Sequence, residues 1–212
     1  MISFHSGIQA LRKFKVNSLN QRIKALIPDL ELTGTEYIHF IESEKNLSQS
    51  NKKILHKLLN YSPKVNLKNS KYNVTITPRI GTISPWSSKA SDICKICGLS
   101  LVTRLERGIN YHFDRTINTH ELVTILELVM DKMTESHLNN INDSDLLFKK
   151  LMPNEFNTID LLVKGKSAIT KANNELGLAL SQSEINYLFE SFVVIARNPR
   201  DVELMMFAQA NS

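Results

Sequence analysis

Apolar residues recur along this chain with two periods, and the period changes in a repeating order. Ile2 to Phe4 has the alternation of a short strand. From Ser6 and Gly7 the residues Ile8, Leu11, Val16, Leu19, Ile23 and Leu26 recur at near-helical spacing until Pro28. Thr35 to Ile41 returns to period two, with Tyr37, His39 and Ile41 on one face and Ile38 and Phe40 on the other. That pattern makes His39 a strand residue at a sheet surface rather than a ligand. A second helix from Ser48 carries Ile54, Leu55, Leu58 and Leu59 on one stripe and is closed by Tyr61-Ser62-Pro63.

After a polar connection from Asn66 to Ser70 the order repeats. Tyr72 to Thr77 is strand-like through Val74 and Ile76, Ser87 to Cys97 is helical and stopped by Gly98, and Leu101 to Phe113 is a long strand. Asn118 with Glu121 forms a capping-box start for a helix using Leu122, Ile125, Leu126 and Val129. Strand, helix, strand, helix thus occurs twice within about 130 residues, which predicts two similar α+β halves pairing through their sheets. On the long strand, Leu101, Thr103, Leu105, Ile109, Tyr111 and Phe113 alternate with Arg104, Glu106, Asn110 and His112. The first row suits a core; the second predicts either a solvent face or a face that docks another domain. Glu106 and His112 stand ~20 Å apart along a strand, too far to act as an acid/base pair.

Beyond Met133 the pattern loosens. Asn139 to Ser144 is turn-like, Asp145 to Leu151 suits one or two helical turns, and Pro153 to Asn157 reads as a connector. A boundary is therefore placed here, giving 1–140 as one domain, 141–158 as a connector and 159–212 as a helical domain. In the last part, Ile159 to Leu162 leads through Gly165 into a helix of Ala168, Ile169, Ala172 and Leu176 that ends near Gly177. Ser181 and Glu184 make a second capping box ahead of Ile185, Leu188, Phe189, Phe192 and Ile195. Asn198-Pro199 is expected to cap a final helix through Val202, Met205, Met206 and Ala208, which runs to Ser212 without a Gly stop, as a chain cut short would.

The composition adds bounds. At 212 residues the chain is one large or two small domains. No apolar run approaches the ~18 residues of a membrane span, and Met1 to Ala10 lacks the basic start and apolar core of a signal peptide. The net charge of +5 arises from 26 basic and 21 acidic residues, a mixed surface. The lysines that cluster at Lys45, Lys52, Lys53, Lys57, Lys64, Lys68 and Lys71 come without an aromatic platform, so they are read as a solvated face rather than a nucleic-acid site. The two cysteines, Cys94 and Cys97, have no second ligand pair for zinc and are expected as reduced thiols.

The chemistry concentrates between Pro78 and Ile93 (PRIGTISPWSSKASDI), which holds the single tryptophan. Pro78 and Gly81 suit a turn, and Ser84 before Pro85 is biased to an extended conformation, so the chain should leave a strand, turn and enter a helix. Trp86, Ser87, Ser88 and Lys89 then crowd the helix start, where free backbone N–H groups favour either a capping oxygen or a bound anion.

This segment, together with VTRLERGINY (Val102 to Tyr111), LGLALSQSEINYLFESF (Leu176 to Phe192) and RNPRDVELMMFAQANS (Arg197 to Ser212), closely resembles the start of the large single-chain phosphoribosylformylglycinamidine synthases, or formylglycinamide ribonucleotide amidotransferases. The resemblance covers essentially the whole chain in one order. It implies an α+β fold of tandem PurS-like halves, related to ferredoxin-like folds, with an antiparallel sheet and helices, followed by a small all-helical linker domain. It implies a cytoplasmic parent enzyme of purine biosynthesis that uses ATP and magnesium and takes ammonia from glutamine. In the family, FAQANS leads directly into a Glu-His-Cys-Arg-His segment that opens the synthetase domain, and a Cys-His-Glu glutaminase comes later. No residue of this chain receives a catalytic, metal or cofactor role from the resemblance, and Cys94 and Cys97 lie outside the glutaminase motif.

The implied partners are the synthetase and glutaminase domains of the same parent chain. The residues expected at that interface, or near substrate, are Arg79, Thr82, Ser84, Trp86, Ser87 and Lys89 from the turn and Arg104, Glu106 and Arg107 from the strand. The competing reading is a free-standing module, either small-subunit-like and regulatory or a basic nucleic-acid binder.

Overall fold

The computed structural model describes residues 1–60, 67, 70–152 and 154–211. The expected helix end at Tyr61-Ser62-Pro63, most of the Asn66–Ser70 connection, Lys64, Lys68, Pro153 and Ser212 lie outside the described residues. The chain divides into two units, Met1–Lys150 and Leu151–Ser212.

In the first unit the elements run β1 (Ile2–Gln9), α1 (Lys13–Leu26), β2 (Leu32–Ser43), α2 (Gln49–Leu58), β3 (Tyr72–Pro78), α3 (Pro85–Ile96), β4 (Val102–Phe113), α4 (Thr119–Val129) and β5 (Glu135–Leu138), followed by a 3-10 helix at Ile141–Leu147. The sheet order is β1-β2-β4-β3-β5, with every pairing antiparallel. The doubled pattern is therefore real, and the two halves meet at their second strands. Between Thr35↔Tyr111 and Glu42↔Arg104 the β2–β4 register runs without a shift. Ser48 and Asn118 cap the second helices of the two halves: the Ser48 hydroxyl accepts from the Asn51 N–H at 3.2 Å, and Asn118 Oδ1 accepts from the Glu121 N–H at 2.9 Å. Glu121 returns a bond from the Asn118 N–H at 3.0 Å, completing the expected capping box.

The four α-helices of this unit serve one face of the sheet, and they exchange partners between halves. Leu19 and Ile23 of α1 share a core with Ile125 of α4, over Val74, Ile76, Tyr111 and Phe113. Leu55 of α2 packs with Cys94 of α3, over Ile41 and Leu105. Each half thus buries its helices only by borrowing from the other, which makes a single half a poor folding unit.

The opposite face carries Ile38 and Phe40 beneath Leu138 and Leu147, with Ile80, Ile141 and Phe148 around them. The segment after β5 is thus packed on the sheet instead of trailing from it. This corrects the solvent-face alternative for the polar row of β4: Glu106, Asn110 and His112 are all buried. They persist because each finds partners. Asn110 accepts from Thr75 Oγ1 at 2.8 Å, and His112 Nε2 lies 3.1 Å from Glu36 Oε1. Burial opposes ionisation of Glu36, but its bonds with His112 and Asn110 outweigh that and hold its carboxyl below the usual range.

Two local expectations for this unit are overturned, and one strand is added. No helix begins at Ser6: β1 continues to Gln9 along β2 through a bulge at Gly7, whose φ of 142° suits glycine, and α1 starts at Lys13. Ile54 and Leu58 of the α2 stripe are exposed, while Leu55 is buried. β5 adds a strand where no alternation was read.

In the second unit, α5 (Leu161–Lys164), α6 (Lys166–Leu176), α7 (Gln182–Val194) and α8 (Asp201–Asn211) bury Leu161, Ile169, Ile185, Leu188 and Leu204 among others. Gly177 ends α6 with φ 66°, and the Ser181–Glu184 capping box opens α7. Asn198 is not the cap of α8. Its side-chain carbonyl accepts from the Leu162 N–H of α5 at 2.8 Å, while the Pro199 carbonyl accepts from Ile159 N–H at 2.8 Å. The expected cap residue is spent on tying the incoming segment to the last helix.

Gly108 sits opposite Ile38 at the middle of the central pair. A Cβ built there would stand 2.5 Å from the Ile76 carbonyl oxygen of β3. Gly108→Ala should therefore lower the unfolding free energy by about 1–3 kcal/mol, through displacement of β3, visible as a lower urea midpoint.

Candidate functional site

The segment Pro78 to Ile93 folds as its composition requires. β3 ends at Pro78, Gly81 takes φ 85° in the turn, and α3 starts with Ser84 as N-cap and Pro85 in its first turn. Both ends of the turn are pinned. Arg79 N–H donates to the Thr134 carbonyl at 2.9 Å, and its guanidinium to the Met133 carbonyl at 3.2 Å. Thr82 Oγ1 donates to the Arg79 carbonyl at 2.7 Å.

The start of α3 already has its anion, and this anion comes from within the protein. Ser84 Oγ accepts from the Ser87 N–H at 3.0 Å and donates to Glu106 Oε2 at 2.6 Å, while Ser84 N–H donates to Glu106 Oε1 at 3.2 Å. Glu106 has no solvent exposure. Its charge is matched by Arg104, whose Nη2 and Nε stand 2.6 and 3.2 Å from Glu106 Oε1. Arg104 also donates to the Thr82 carbonyl at 2.5 Å and lies 5.3 Å from the Phe148 ring centroid. Four of the expected residues, Thr82, Ser84, Arg104 and Glu106, thus form one network that fixes the turn to the sheet. Ser87 is also fully buried, and its hydroxyl has no hydrogen-bond partner among the described residues.

A second group lies on the helix-covered face. Arg107 has its guanidinium carbon 4.4 Å from the Tyr37 ring centroid and 4.8 Å from that of Trp86. His39, paired with Arg107 across the strands, has its ring 5.5 Å from Trp86. Burial, then the nearby Arg107 charge, then His5, hold the His39 imidazole down to about 4. Arg79, Thr82 and Lys89 are exposed, and Ile83 at the tip of the turn is 63% exposed. The sequence alone does not single out Tyr37 or Ile83 for this site: Tyr37 lies in the other half, and its meeting with Arg107 is set by the β2–β4 register.

Cys94 is buried, Cys97 is exposed, and both are free thiols; burial and the neighbouring Cys97 push the Cys94 thiol up. Among the described residues no group of three or more His, Cys, Asp or Glu side chains is arranged to hold a metal ion. No helix among them is long and apolar enough to cross a membrane.

The first unit is thus a doubled antiparallel α+β sheet with a hydrogen-bonded, exposed turn, and the second unit is helical. Residues 36–148 match the formylglycinamide ribonucleotide amidotransferase N-terminal family, and residues 169–212 match the formylglycinamide ribonucleotide amidotransferase linker domain. The chain belongs to the formylglycinamide ribonucleotide amidotransferase family of purine biosynthesis and contains its N-terminal and linker domains.

Two outcomes are expected. Glu106→Ala leaves the largely buried Arg104 without its carboxylate and should cost about 3–5 kcal/mol of stability in urea unfolding. For His39, folding favours the neutral ring, so its contribution is intact above the unfolded value of 6.5 and is lost as pH falls towards about 4. His39→Gln should flatten the fall in Tm between pH 7 and pH 4.

Proposed function

We propose that this chain is the assembly module of an ATP-dependent carbon–nitrogen ligase that takes its amido nitrogen from glutamine. Unit Met1–Lys150 acts as the PurS-like domain and the helical segment from Ile159 as the linker. Together they seat the glutaminase against the synthetase and help shape the route of ammonia and substrate. ATP and magnesium belong to the parent enzyme, which works in the cytoplasm, and this chain alone consumes neither ATP nor glutamine.

The observation that carries this reading is the construction of the turn. A short connection is locked to the sheet by a buried carboxylate, yet presents Arg79, Thr82, Ile83 and Lys89 outward. A fixed base with an exposed apolar tip suits a permanent contact with another domain. Trp86 and Arg107 supply a second, half-buried element of that surface, while Ser84, Ser87, Arg104 and Glu106 act from within by holding the turn in place.

The test uses a full-length parent enzyme. Ile83→Asp combined with Lys89→Ala alters outward side chains of the turn and of the start of α3 and should leave Tm near the unsubstituted value. Glutamine hydrolysis should continue while glutamine-dependent product formation falls by about tenfold, the scale of losing an interface anchor. Unchanged coupling at unchanged stability would refute the docking role. Substrate-dependent ADP release by the purified 212-residue chain would separately refute its inactivity.

A further inference from the structure

Beside the turn into α3, the sheet is open as a cleft of about 300 Å³. Its floor is Tyr37, Ile76, Arg107 and Ile109; Pro78, Ser84 and Pro85 line it from the turn, and Thr134 and Glu135 from the start of β5. Two opposite charges face this space. Arg107 has aromatic neighbours but, among the described residues, no hydrogen-bond acceptor or carboxylate partner. Glu135 uses Oε2 to accept from the Asp131 N–H at 2.9 Å and, among the described residues, has no cationic partner. Burial, only partly offset by that hydrogen bond, raises its carboxyl above the usual range.

A half-buried cation and a half-buried anion that line one cleft without pairing are each more costly in the empty protein than in a filled one. A simple anion would satisfy Arg107 but be repelled by Glu135, and a simple cation would meet the reverse. The ligand that suits both carries a carboxylate and an ammonium on a small body. We propose that this cleft binds a small zwitterion of α-amino-acid chemistry, its carboxylate on Arg107 and its ammonium on Glu135. The guanidinium edge offers two parallel N–H donors to the carboxylate. The Ile76, Pro78, Pro85 and Ile109 walls leave room for a short apolar side chain, and the volume is at the lower end of that of small-molecule sites.

Binding is measured by titration calorimetry on the 212-residue chain with glycine and L-alanine as probes, and with acetate and methylammonium as the separate halves of the zwitterion. Saturable binding of an amino acid below ~10 mM is expected. Acetate and methylammonium should each bind at least about tenfold more weakly, and Glu135→Gln and Arg107→Lys should each weaken amino-acid binding by about tenfold. Glu135→Gln is isosteric and leaves the Asp131 bond possible, so loss of binding with an unchanged melting curve supports the site. Absence of saturable binding, acetate binding as tightly as glycine, or full affinity in Glu135→Gln would each overturn it. None of these results bears on the docking role, whose test reads coupling in the full-length enzyme.

Discussion

Everything in the first unit depends on the antiparallel pairing of β2 with β4. These two strands come from different halves of the doubled pattern, and their register decides what meets on each face of the sheet. Ile38 opposite Gly108 marks the centre, where glycine lets β3 approach β4 closely. On either side of it the same register places Tyr37 with Ile109, His39 with Arg107 and Phe40 with Glu106. A slip of one residue would send Arg107 to the face that holds the buried carboxylate and Glu106 to the helix side. The exchange of helix partners, α1 with α4 and α2 with α3, adds a second reason for the halves to fold together.

The buried carboxylate of Glu106 converts that sheet into a support for the turn. A charged group with no solvent exposure is tolerated only when fully bonded, and Glu106 meets the condition with Arg104 on one oxygen and Ser84 on both. The Ser84 bonds determine where α3 begins, and Arg104, which also donates to the Thr82 carbonyl, determines where Thr82 lies. The start of α3 is occupied by the protein's own side chain, so its N-terminus is a structural joint. The more open chemistry lies around Arg107, whose charge is balanced by ring faces rather than by an acid.

Much of this was legible in the sequence where the governing interaction is local. The Asn118–Glu121 and Ser181–Glu184 boxes, the Ser84-Pro85 helix start and the alternation of β4 each rest on residues a few positions apart. What escaped was set at a distance. Ile8 and Leu11 imitate a helical stripe, but pairing with β2 through the Gly7 bulge keeps Ile8 in a strand. Asn198-Pro199 has the form of a local cap, yet Asn198 bonds to Leu162. Four residues of β5 are too short to show alternation, and only their pairing with β3 defines them. The polar row on β4 could be read as solvent-facing because its partners, Ser84, Glu36 and Thr75, lie on other elements.

The two units together form the N-terminal and linker portion of an amidotransferase, and the assembly role given to them is that of a scaffold that makes two catalytic activities work as one. The most direct measurement supplies this chain in trans to a synthetase–glutaminase polypeptide of the parent that lacks these two domains, and follows product formation with glutamine as the nitrogen source. The account expects synthesis to be low without the chain and to rise saturably as the chain is added, with ammonia-driven synthesis much less affected. Equal glutamine-dependent synthesis with and without the chain would contradict it.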